Sequence, residues 1–75
     1  MSASTDDARA RILARLVECV PVMEPGDGLT AHDIWKIFNS WSLGTVRNWL
    51  TELAHARRIV REAGPSGPLY RRSPS

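Results

Sequence analysis

Thr45, Arg47, Asn48 and Thr51 lie within one short stretch, interleaved with the apolar Val46, Trp49 and Leu50. Arg carries a planar fork of donors that matches guanine, Asn offers the donor and acceptor pair that matches adenine, and Thr hydroxyls bond base edges or phosphate. Arg58, Arg61, Arg71 and Arg72 follow toward the C-terminus and supply the cations that neutralise phosphate. The chemistry these types point to is recognition of a polyanion, with no bond made or broken.

Other reactive residue types lack the neighbours that catalysis or metal binding needs. His32 and His55 have no partners at ligand spacing, and the single cysteine, Cys19, supports neither an internal disulfide nor a cysteine zinc site. Both histidines read as solvated helix positions, and Cys19 as a small hydrophobe near a helix end. Ser66 has no elbow motif and no paired base, and the glycines at 26, 28, 64 and 67 do not spell a phosphate-binding loop. The expectation is a protein without enzymatic activity, cofactor or metal.

Presenting such a polar set requires a helix held by a core. Leu43, Val46, Trp49, Leu50 and Leu53 recur at helical spacing, with Ser42 as an N-cap, and leave Thr45, Arg47, Asn48, Thr51 and Glu52 on other faces. Upstream, Thr30-Ala31-His32-Asp33 is a helix start signal followed by Ile34, Ile37 and Phe38, which gives a helix of about two turns. Only about three or four residues separate these two helices, so they must cross steeply. An earlier helix begins at the Ser4 to Asp7 capping signal and carries the stripe Ile12, Leu13, Leu16, Val17 and Val20 until Pro21 and the Pro25-Gly26-Asp27-Gly28 run break it. After the third helix, Arg58 to Glu62 and Leu69 to Arg72 read as two strands joined by a loop of about six residues, Ala63 to Pro68.

The bulk numbers set bounds on these elements. Seventy-five residues, 43% hydrophobic and 24% charged, make one globular domain over 1–75, ordered over roughly 5–72. Residues 1–35 carry three arginines against six carboxylates, a net −3, whereas 36–75 carry seven cations against two carboxylates, a net +5. The second half is therefore the polyanion-facing half. The lone cysteine fits a reducing compartment, and no apolar run approaches the roughly 20 residues of a membrane span. The expected location is the cytoplasm. Among the three tryptophans, Trp49 has core spacing, Trp41 plugs the turn before the third helix, and Trp35 reads as buried, with outward exposure of part of its ring, and so a protein partner, as the alternative.

Helix, helix, tight turn, helix, hairpin is the order of winged helix-turn-helix proteins. The chain resembles that family through Leu29-Thr30-Ala31-x-Asp33-Ile34, Thr45-Val46-Arg47-x-x-Leu50-x-x-Leu53 and Arg58-Ile59-Val60-Arg61, with Ile12 to Val20 as the first helix. The likeness implies a mostly α domain of three helices plus a two-stranded wing, of the small prokaryotic or phage-type regulator kind. It implies double-stranded DNA as partner, with the third helix in the major groove and the wing on the backbone. Arg61-Glu62-Ala63-Gly64 and Pro68-Leu69-Tyr70 are also similar to the wing of Z-DNA-binding domains. Where those domains place an Asn and a Tyr on the recognition helix, this chain has Arg47 and Thr51. Arg57 stands where many winged helices end the third helix with Gly, so a positive φ there carries a cost of about 1 kcal/mol.

Two functions fit this reading. One is a transcriptional regulator that binds duplex DNA as a monomer or weak homodimer. The other is a docking factor that grips RNA polymerase or another transcription protein, which the modest net charge of +2 and the acidic first half also suit.

Overall fold

The computed structural model describes residues 2–74, with side chains over 7–74. In chain order the elements are α1 (Ser2–Cys19), α2 (Ala31–Ile37), α3 (Leu43–His55), β1 (Val60–Gly64) and β2 (Gly67–Arg71). Three helices and one antiparallel hairpin make a mostly helical domain in the order of a winged-helix layout.

Leu13, Leu16 and Val20 of the α1 stripe are buried, and Ile12 and Val17 at its margins are half-buried. α1 starts at Ser2, upstream of the Ser4 signal, and has no acid in its first turn. Several cap-forming residues stand in a row there, so any of them can begin the helix; the Ser4 side chain lies outside the described residues. Ser75, expected to fray, lies outside them as well.

The other two helix starts follow the side chains that cap them. Thr30 Oγ1 accepts from the Asp33 amide at 3.1 Å, and Ser42 Oγ accepts from the Thr45 amide at 3.2 Å. The connection over 38–42 is slightly longer than expected, because Phe38 has already left helical dihedrals at φ −111 and ψ 61. Trp35 Nε1 donates to the Trp41 carbonyl at 2.7 Å across this turn, and the Trp41 ring meets Trp49 edge-on at 5.1 Å.

α3 buries Val46, Leu50 and Leu53 at spacings of four and three, facing Ile34 of α2, the α1 stripe, Ile59 and Tyr70 in one cluster. Its C-terminus closes in a Schellman motif, with Arg58 N–H donating to Leu53 O at 2.9 Å and Arg57 N–H to Ala54 O at 3.0 Å. The turn requires a left-handed residue, and Arg57 sits there at φ 61. Arg57→Gly is therefore expected to raise stability by about 1 kcal/mol, read as a rise of about 4–8 °C in Tm by circular dichroism.

The hairpin is tighter than the expected six-residue loop. Gly64 pairs with Gly67 and Ala63 with Pro68, which leaves Pro65 and Ser66 as the turn. Pro65 supplies a preset φ, and Gly67 leaves the turn at φ 129, a conformation L side chains rarely adopt, so turn-forming residues here extend the strands instead of interrupting them. β1 in turn begins at Val60, because Arg58 is used by the end of α3.

β2 also pairs on its other edge. Leu29 and Tyr70 exchange two backbone hydrogen bonds of 2.9 and 2.7 Å, and Arg72 bonds Pro21 O and Met23 N–H at 2.8 and 3.2 Å. Gly28 permits this approach, since a Cβ there would lie 2.8 Å from Leu69 Cβ.

Candidate functional site

The N-terminus of α2, the outer face of α3 and the hairpin enclose a cleft of about 390 Å³. Arg47, Asn48 and Thr51 line it from α3, and Arg61 from β1. On α3 these three follow at spacings of one and three, opposite the buried Val46, Leu50 and Leu53, so the same periodicity that builds the core aims them outward. Arg61 points outward because β1 alternates, with exposed Arg61 and Ala63 between half-buried Val60, Glu62 and Gly64.

The lining carries two guanidiniums and no carboxylate. Glu52, the one acid on α3, is engaged in an ion pair with Arg9 of α1. Thr51 Oγ1 donates to the Arg47 carbonyl at 3.1 Å, which leaves its lone pairs to accept from outside. What the cleft can do chemically is donate charged and neutral hydrogen bonds to an anionic or polar ligand.

The remaining expected residues divide. Thr45 is half-buried and its hydroxyl accepts from Ser42 Oγ at 2.9 Å, so it serves the start of α3 and does not line the cleft. Arg58 is exposed just beyond the end of α3 and does not line the cleft.

Arg71 and Arg72 are turned into the fold. Arg71 is 7% exposed, and its Nη2 and Nε donate to Glu62 Oε1 at 2.5 and 3.2 Å. The register pairs Arg71 with Val60, so Glu62 is its diagonal neighbour on the same face. Arg72 Nε donates to the Val20 carbonyl at 2.5 Å and ties the end of the hairpin to the end of α1. Counting basic residues in a strand does not reveal which ones a cross-strand acid will claim.

Thr30, His32, Ser66, Pro68 and Tyr70 also line the cleft, and the sequence reading did not single them out as site residues. The only signal for them was the capping box at Thr30, which locates a helix start without saying what it faces. His32 is exposed and 5.5 Å from the Trp35 ring, and His55 is exposed. The Cys19 thiol is pushed above its ordinary pKa by partial burial and then by Glu18. Among the described residues no cluster of three His, Cys, Asp or Glu could hold a metal, and no helix is long and apolar enough to cross a membrane.

The Glu62 carboxyl is held below the ordinary carboxylate range by its hydrogen bond from Arg71, with help from the Gly26 amide at 3.3 Å. A carboxyl whose folded pKa is depressed adds stability that is complete above its unfolded value of about 4.3 and is lost as pH falls through the folded value. Thermal unfolding of wild type and Glu62→Gln is therefore expected to differ at pH 7, with the difference shrinking as pH falls below the unfolded value of about 4.3 and gone only once the lower folded value is passed. A constant difference across that range would remove the ion pair as its source.

Comparison with protein-family models, with curated proteins and with solved structures finds no match.

Proposed function

We propose that this protein is a non-enzymatic regulator that binds double-stranded DNA, with α3 in the major groove and the hairpin on the adjoining backbone. The observation that carries the reading is the convergence of Arg47, Asn48, Thr51 and Arg61 from two elements onto one cleft without a carboxylate. In this arrangement Arg47 and Asn48 read base edges, and Arg61 and Arg58 hold phosphates on either side. Arg71 and Arg72 act indirectly, by fixing the base of the hairpin.

The test is a titration with random-sequence duplex, followed by NMR chemical shifts at low and moderate salt. Shifts should gather on Arg47 to Thr51, Arg58, Arg61 and Ser66 to Pro68, spare Arg71, and fade with salt. Silence of these residues at low salt would remove DNA as the partner. A second reading, docking onto RNA polymerase or another transcription protein, is favoured by the exposure of Ile37 and Trp41 on a different face.

A further inference from the structure

A second groove, about 580 Å³, runs between α1 and the C-terminal end of α2, lined in part by Ile12, Arg15, Glu18, Ile37 and Trp41. Ile37 is 61% exposed and Trp41 42%, which is unusual for side chains of this size lying together. The groove shares no lining residue with the cleft beside α3, because α2 contributes its first turn to one and its last to the other. An occupant of this groove therefore leaves the cleft open.

We propose that the occupant is a second copy of this chain, with the two α1 helices antiparallel across a two-fold axis. Arg15 and Glu18 select it. They are exposed, one turn apart on the same face of α1, and neither forms an ion pair among the described residues. A two-fold axis between them sets Arg15 of each copy against Glu18 of the other, so one pairing of opposite charges is made twice. That is the self-complementarity an isologous interface requires. Ile12, Ile37 and Trp41 flank these charges and supply the apolar area that the pairing covers.

Sedimentation equilibrium on the whole chain tests the proposal without DNA, so its outcome is independent of the DNA-binding reading. Wild type should rise from 8.4 kDa toward twice that mass with concentration. Arg15→Glu and Glu18→Arg should each weaken association by about tenfold or more, since each sets like charges together twice. Mixing the two variants should restore a dimer. In the mixed pair one copy carries acids at both positions and the other carries bases at both, so each contact across the axis joins unlike charges. Circular dichroism confirms that each variant is folded. A wild type that stays monomeric throughout overturns the proposal, as does a dimer that survives both single changes or a mixture that fails to associate; the first of these outcomes, joined with capture of a different protein by this face, would instead assign the groove to docking.

Discussion

Arg47→Ala is expected to weaken binding to a duplex selected from random sequences by about 5- to 150-fold, the loss that follows from removing one bidentate base contact worth about 1–3 kcal/mol. Arg47 is exposed and faces away from the buried stripe of α3, so the unfolding free energy should stay within about 0.5 kcal/mol of wild type. Arg47→Lys separates charge from shape. A lysine keeps the point charge and loses the planar fork, so salt-dependent binding to random duplex should persist while discrimination among bases falls. Arg61→Ala should behave in the opposite sense, weakening all sequences alike and reducing the slope of log K against log salt by about 1. Competition titrations by fluorescence anisotropy read both effects. Equal affinity of Arg47→Ala and wild type for the selected duplex would take Arg47 out of the contact.

Leu50→Ala is expected to lower the unfolding free energy by about 3–5 kcal/mol. Leu50 has no exposed surface and stands on α3 among Val46, Leu53, Ile34 and Tyr70, contributed by several parts of the fold, so no single neighbour can move to fill the space. A domain of this size has a total stability of about 4–11 kcal/mol. The change therefore removes a large fraction of it, and Tm should fall by about 12–40 °C. Urea unfolding followed by tryptophan fluorescence measures the loss; a decrease under about 1 kcal/mol would mean that the core closes around the smaller side chain.

What could be read from residue order differs sharply from what could not. The caps at Thr30 and Ser42 and the stripe Val46, Leu50, Leu53 were legible because each depends on neighbours within one helical turn. The left-handed position at Arg57 was expected only through the resemblance, which has glycine there, and not from any local signal in the residue order. The enclosure of Arg71 was not legible, since it depends on a strand register that places Glu62 diagonally opposite, and the register in turn depends on a turn at Pro65 and Ser66 that composition alone read as a longer loop. The cleft was half legible. Periodicity brings Arg47, Asn48 and Thr51 to one face, but the approach of Arg61 and Ser66 needs the hairpin folded back against the N-terminus of α2. Arg61 and Arg71 are chemically alike in the sequence, and only tertiary pairing distinguishes the cation offered outward from the one held within.

The pairing of Leu29 with Tyr70 gives the hairpin two mechanical regimes. At its base, β2 is bonded on both edges, to β1 on one side and to Leu29 on the other. At its tip, Pro65 and Ser66 form the turn beyond the last cross-strand pair, Gly64 with Gly67. Amide hydrogen exchange should accordingly be slower at Leu29 and Tyr70 than around Ser66 and Gly67, where a local excursion of the tip suffices. A lever clamped at the root and compliant at the end confines the conformational entropy cost of accommodating a ligand to a few residues, and under the proposed DNA-binding reading it would let the tip follow grooves of different width.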